Sequence, residues 1–116
     1  MTSDDKGGDV IKIDELPSGE NASTFDGHAH GAQVSFFLSH NRPGSGPKLH
    51  RHPYEETFIV EDGNVLFTVG ESTIEARPGD IVVVPAGAPH EFVSRAATHR
   101  QVSIHPVAVM ETEWLE

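Results

Sequence analysis

GSGPKLHRHPYEETFIVEDG, residues Gly44 to Gly63, sets His50 and His52 two positions apart, places Glu56 four beyond, and closes with an apolar run that stops at Asp62-Gly63. Alternate side chains of a β-strand share a face about 6.6 Å apart, a distance two imidazoles can close onto one ion. His50-x-His52 on a strand is therefore a plausible chelate. Pro53 cannot donate a ladder hydrogen bond, so the strand is predicted to bend there and resume at Glu55, with Glu56, Phe58 and Val60 on one face. A further imidazole comes from GDIVVVPAGAPHEF, where His90 opens a short strand after a Pro/Gly-rich turn.

Working outward, period-two runs fill the rest of the C-terminal half: Glu55–Glu61, Val65–Val69, Thr73–Ala76, Ile81–Val84, Glu91–Ser94 and Arg100–Ile104. Turn signals at Asp62-Gly63-Asn64, Gly70-Glu71, Arg77-Pro78-Gly79-Asp80 and Pro85–Pro89 separate them. This spacing predicts an antiparallel sandwich or barrel. Upstream, Ala32–Asn41 reads as a strand with Val34, Phe36 and Leu38 on one face and Gln33, Ser35 and Ser39 on the other. Val10–Ile13 is a short strand candidate, residues 14–27 read as a surface connection, and residues 1–9 as a flexible segment. Val107–Glu116 has a helical flavour, with Val109, Trp114 and Leu115 as docking residues. Residues 10–116 make one domain, long enough to bury a core.

Composition limits the chemistry. The chain has no cysteine, so His and carboxylates are the strong metal ligands left. Lys+Arg number 8 against Asp+Glu 18, a formal charge of -10 that repels nucleic acid and anionic membranes. No apolar run reaches the ~20 residues of a membrane span, and the N-terminus lacks a signal-peptide pattern, so the cytoplasm is the expected location.

With these residues in place the chain resembles the cupins, whose two motifs are G-x5-H-x-H-x3-4-E-x6-G and G-x5-P-x-G-x2-H-x3-N. Gly44, His50, His52, Glu56 and Gly63 fill the first; Gly79, Pro85, Gly87 and His90 fill the second, with Ser94 at the Asn position. The resemblance covers about residues 32–105. It implies an all-β jelly-roll barrel with a short helical or irregular C-terminal tail, and one divalent transition metal (Fe, Mn, Ni or Zn) on His50, His52, Glu56 and His90. Positions left open on such an ion suit a catalytic rather than a structural site. Glu56 doubles as the candidate general base, since no other base is evident.

Tyr54, Phe58 and Phe92 are expected in the pocket wall, with His40 near its mouth by parity with Phe36 and Leu38. His99, Gln101, Ser103 and His105 form a polar face of the last strand that reads as solvent-facing, with pocket lining, Gln101 first, as the alternative. His28-x-His30 follows Gly27 in a loop without a carboxylate partner and reads as solvated. Lys48 and Arg51 read as surface charges.

The resemblance implies a small-molecule ligand, and the formal charge of -10 argues against a nucleic-acid or membrane partner. The favoured function is a dioxygenase-like oxidoreductase acting on an oxygen-bearing metabolite chelated by the metal. The alternatives are a sugar isomerase or epimerase, for which Gln33, Ser35 and Gln101 are the polar candidates, and a non-catalytic binding module. A homodimer is expected, with residues 10–13 crossing to the partner.

Overall fold

The computed structural model describes residues 8–116, so most of the segment expected to be flexible lies outside the described residues. Ten strands form two five-stranded antiparallel sheets. The first sheet runs β1 (Ala22–Phe25), β2 (Ser35–Ser39), β9 (Arg100–His105), β4 (Glu56–Asp62) and β7 (Ile81–Val84) in spatial order. The second runs β10 (Glu113–Trp114), β3 (His50–Arg51), β8 (His90–Ser94), β5 (Val65–Val69) and β6 (Ser72–Ala76). The result is the antiparallel barrel expected from the strand spacing, in the jelly-roll form that the cupin resemblance implies. Among the described residues no helix is long and apolar enough to cross a membrane.

The strands from β4 to β9 fall within a residue or so of the runs of alternating apolar residues, because each run ends at a turn signal that the ladder cannot pass. The core lies between the sheets: Phe58, Val60, Val65, Phe67, Ala76, Val82, Val84 and Phe92 are all buried. Phe58, Phe67 and Phe92 make a three-ring contact with centroids 4.9, 5.7 and 5.9 Å apart. Phe58 and Phe92 also line the main cavity, so the site rests directly on the core.

Three expectations are corrected and a fourth is narrowed. Residues 10–13 form no strand; Lys12 is extended and Ile13–Glu15 makes a single 3-10 turn. The connection over residues 14–27 contains β1, whose short polar ASTF run carries no clear alternation, yet pairs along its whole length with β2. In β2 the inward side is Ser35, Phe37 and Ser39, while Val34 is exposed. The serines go inside because this end of the barrel encloses polar groups: Ser35 accepts from the Gly27 N–H and donates to the Val107 carbonyl. Finally, of the two forms expected for the tail, helical or irregular, it takes the irregular one. Residues 107–112 are irregular and β10 pairs with β3, Trp114 opposite His50, because the open edge of β3 offers ladder groups that a lone helical turn would leave unsatisfied.

Gly63 adopts φ 98°, and a Cβ there would overlap the Thr98 backbone carbonyl. Gly70 is also left-handed, at φ 58°, but has open space around it. Gly63→Ala is therefore expected to destabilise the fold by about 1–3 kcal/mol from backbone strain, with the overlap added, and to exceed the cost of Gly70→Ala. Urea midpoints of the two variants measure this, and equal midpoints would contradict it.

Candidate metal centre

His50 lies on β3 directly opposite His90, the first residue of β8, so two imidazoles of one sheet meet across one ladder position. The chain then bends at Pro53-Tyr54, as the proline predicts, and brings His52 alongside; the Gly87 N–H donates to the His52 carbonyl and ties this bend to the turn that launches His90. Glu56 opens β4 in the opposite sheet. The cluster thus bridges the two sheets. One ligand atom each from His50, His52, Glu56 and His90 lies within 4.8 Å of the others, and all four residues are buried.

The orientation of the rings decides what the cluster can do. Nδ1 of His50 faces the Lys48 carbonyl at 2.7 Å, Nδ1 of His52 the Glu111 carbonyl at 2.7 Å, and Nδ1 of His90 the Ala88 carbonyl at 2.8 Å. A carbonyl only accepts, so each Nδ1 carries the proton and each neutral ring presents a bare Nε2 lone pair. Two of those nitrogens, on His52 and His90, stand 3.1 and 2.9 Å from Glu56 Oε1. Lone pairs against a carboxylate repel unless a cation lies among them. His52 Nε2 is off the hydrogen-bonding direction and has no hydrogen-bond partner at all, a buried orphan of the kind that a cation would satisfy. Three neutral imidazoles and one carboxylate suit a divalent transition metal by donor type.

The electrostatics agree. Burial pushes the Glu56 carboxyl up, but the His105, His52 and His90 rings around it outweigh that and hold the group far below the usual carboxylate range. Burial lowers His52, while Glu56 and the Glu111 carbonyl together raise it above the ordinary histidine value. Burial dominates at His50 and lowers it. The site therefore keeps an anion and draws positive charge to it.

A cavity of about 320 Å³ opens onto the cluster. Phe58 and Phe92 line it as expected; Phe37, Pro47 and Trp114 complete an apolar wall, and Asn21, Ser39, Asn41, Ser103 and Thr112 supply polar atoms. Tyr54, Gln101 and His40 are not in the wall. Tyr54 stands behind His105, bonded to its Nδ1 at 2.7 Å. Gln101 is fully buried away from the cavity with both amide atoms unpartnered. His40 is exposed, because the β2 side it shares with Phe36 and Leu38 faces outward. His28 and His30 sit exposed on a 3-10 turn, Gly27–His30, with the His30 ring stacked on Phe25. Lys48 is exposed, as is Arg51, which pairs with Glu113.

The polar face of β9 points inward, not to water: His99, Gln101, Ser103 and His105 are all buried. A central strand flanked by β2 and β4 has its inner face enclosed whatever its polarity. Ser103 and His105 reach the site, and sequence reasoning missed both. The available signal was that the alternative side of β9, Val102 and Ile104, is no more apolar than an outer face covered by a neighbour would be.

These features define a small double-sheet β-barrel with a three-histidine, one-carboxylate cluster at its mouth. The chain belongs to the cupin family: the family model described as "Cupin domain" matches residues 37–104. An uncharacterised protein of Streptomyces coelicolor is 28% identical over 91 residues, spanning 72% of this chain and 81% of that protein. Among solved structures, an oxalate decarboxylase from Lactobacillus farciminis, in a formate complex, superposes with a TM-score of 0.79 at 19% identity, covering 90% of this chain and 35% of that one. The Bacillus subtilis oxalate decarboxylase studied for its Mn(II) centres gives 0.77 at 20% identity, covering 89% and 30%. A double-stranded β-helix protein from Klebsiella pneumoniae gives 0.70 at 20%, covering 92% and 96%. At these identities the structural likeness concerns the fold, and the chain spans about a third of the length of the decarboxylases.

At His99, away from the cluster, burial lowers the imidazole's affinity for a proton, and the Asn41 N–H donating to its Nδ1 at 2.7 Å requires the neutral ring; Gln101 and Asp62 pull the other way, and His40 adds to the lowering. Unfolded, His99 takes up a proton near 6.5; folded, it does so only at lower pH. Stability is thus full above that value and falls as pH drops below it, by no more than about 1.4 kcal/mol per pH unit for one proton. Chemical denaturation of chelator-treated protein at pH 7.5 and 5.5 should show this loss, and His99→Gln should make it smaller. An unchanged pH slope in the variant would refute the assignment.

Proposed function

We propose that this cupin is a metal-dependent enzyme that binds a small oxygen-bearing metabolite on a divalent ion, with dioxygenase-type oxidation as the favoured reaction. The observation that carries the reading is the fixed tautomer of the three imidazoles, which leaves three Nε2 lone pairs bare and turns two of them, on His52 and His90, onto Glu56. His50, His52, Glu56 and His90 would hold the ion. When bound, Fe, Mn or Ni would supply redox or Lewis-acid chemistry, and Zn Lewis-acid chemistry alone. The Mn(II) centres of the B. subtilis decarboxylase show that this fold accommodates such an ion.

The cavity narrows the substrate. Among the described residues no lysine or arginine lines it, and a formal charge of -10 surrounds it. A small dianion such as oxalate would have only the ion to balance it. An enol, β-dicarbonyl or catechol-type compound instead presents chelating oxygens with at most one charge after losing a proton, and an apolar body for Phe37, Phe58, Phe92 and Trp114. The isomerase alternative loses its expected polar candidates, because Gln33 is exposed, Ser35 is engaged with backbone, and Gln101 is sealed off. A binding module uses the same cavity without turnover.

Elemental analysis of untagged protein purified without chelator, beside His50→Ala and His90→Ala, tests the centre. Near-stoichiometric Fe, Mn, Ni or Zn in the parent and roughly none in the variants is expected. Oxygen uptake with β-diketones or catechols then tests the chemistry; tight binding without turnover would favour a binding module, and oxalate consumption would overturn the substrate class. A parent protein that takes up no metal even on reconstitution would overturn the whole reading.

A homodimer is the assembly we propose, through the outer face of the first sheet. Ile81 and Val83 on edge strand β7 are 65% and 58% exposed, beside the half-buried Ile59, Val102 and Ile104. Val10 and Ile13 are also exposed, at 86% and 63%, leaving residues 10–13 available to cover the partner's edge. Light scattering should give twice the 12.6 kDa chain mass, and Val83→Lys should shift it toward one. A monomeric parent would refute the dimer.

A further inference from the structure

Beyond the four candidate ligands, one buried group in the cavity wall has no role yet. His105 is 1% exposed, touches Glu56 and is absent from the ligand quartet. Its Nε2 lies 3.1 Å from Glu56 Oε2, and Ser103 Oγ donates to the same oxygen at 2.6 Å. The other carboxylate oxygen, Oε1, faces His90 and His52 at 2.9 and 3.1 Å. The two oxygens thus do different things: one faces the metal-binding nitrogens and the other is occupied by β9.

The direction of each bond follows from the partners. A carboxylate only accepts, so a neutral His105 ring beside Oε2 carries its proton on Nε2 and leaves Nδ1 as an acceptor. Tyr54 supplies the matching donor, with its hydroxyl 2.7 Å from Nδ1. The Glu111 N–H donates to that hydroxyl at 3.2 Å, which orients the phenol; the longer 3.3 Å approach to the Glu111 carbonyl is the weaker use of its proton. The chain runs Glu111 N–H to Tyr54 O–H to His105 Nδ1, and it leaves His105 Nε2 in contact with Glu56 Oε2 but off the hydrogen-bonding direction. The rings are also packed in place, His105 edge-on to His52 at 4.7 Å and Tyr54 stacked on His52 at 5.2 Å.

We propose that Ser103 and His105, steadied by Tyr54, are positioning residues that hold Glu56 as a one-oxygen ligand and keep it from swinging away or closing on the ion with both oxygens. This rests on the metal centre proposed above. The Ser103 hydrogen bond to Oε2, with the His105 ring packed against the same oxygen, fixes the plane of the carboxylate, so Oε1 alone is presented and a coordination position is kept free for substrate. It also leaves Glu56 without the freedom that a departing general base would need.

Co(II) is the probe, read by chelator competition for affinity and by its visible absorption for coordination number. Ser103→Ala and His105→Phe should each weaken Co(II) binding roughly 10- to 100-fold and move the spectrum toward higher coordination as Glu56 turns both oxygens inward. His105→Gln, whose amide N–H can still donate to Oε2, should retain most of the parent spectrum, and Tyr54→Phe should have the smaller effect. Far-UV circular dichroism and the metal-free melting midpoint control for folding. If His105→Phe does not fold, Ser103→Ala and His105→Gln carry the comparison. Parent-like affinity and spectrum in folded Ser103→Ala and His105→Phe would overturn the clamp alone, whereas a parent protein that binds no Co(II) would overturn the metal centre and the clamp with it.

Discussion

A carboxylate buried between two sheets is the constraint on which this structure turns. Glu56 is 3% exposed, and removing an ionised group from water costs several kcal/mol unless its lone pairs are met by donors or a cation. Ser103 and His105 meet one oxygen; the other is left to imidazoles whose bare nitrogens require a positive charge beside them. Each surrounding feature answers that requirement. The Lys48 and Ala88 carbonyls sit two residues before His50 and His90 and set their tautomers locally, whereas His52 relies on Glu111 from the far end of the chain. The C-terminal segment is therefore part of the site: β10 pins it to β3, and the Leu115 N–H bonded to the Leu49 carbonyl extends that seam.

The same constraint divides the barrel lengthwise. Apolar side chains from β4, β5, β7 and β8 fill one part of the interior, while the inner faces of β2 and β9 carry Ser35, Ser39, Gln101, Ser103 and His105. That inversion puts Phe36, Leu38, Val102 and Ile104 on the outside of the first sheet. A sheet that spends its inner face on polar groups must cover its apolar residues by other means. Phe36 does so by stacking on Phe25 of β1, and the uncovered remainder toward β7 is the surface we propose for a second subunit.

The motif residues were legible in the sequence because their spacing is set by local backbone geometry: ladder neighbours, the bend at Pro53, and glycines at φ 98° and 95° for Gly63 and Gly79. The strands from β4 to β9 were legible for the same reason. What stayed hidden depends on which elements lie side by side. Alternation shows that Ser103 and His105 share a face with each other, but only the pairing of β9 with β4, Phe58 against Ser103, shows that this face meets Glu56. The rule that polar faces look outward failed at β2 and β9 because it assumes an apolar interior, and a barrel that encloses a buried cluster of histidines and a carboxylate does not have one throughout. The tail misled for a related reason: its residues favour no structure strongly, and the free edge of β3 decided its conformation.

The cavity's chemistry follows from this division of labour. Polar side chains near the cluster are largely committed to holding one another, as Ser103 and His105 hold Glu56, so the wall left for a ligand is mainly aromatic. Such a wall contributes burial but little orientation. With the proposed ion in place, orientation would come from it and from the few uncommitted groups, Asn21 among them. A substrate suited to this arrangement brings its own directional handle, two oxygens that can chelate, and an apolar remainder that the wall can enclose. Discrimination would rest less on reading many hydroxyls than on excluding ligands whose second charge finds no partner, because water removed from that charge is not replaced by any cation of the wall. On the proposed reading, the rigidity of the carboxylate and the selectivity of the cavity would have one physical origin: polar groups that could have served a substrate are used to hold the site that would bind it.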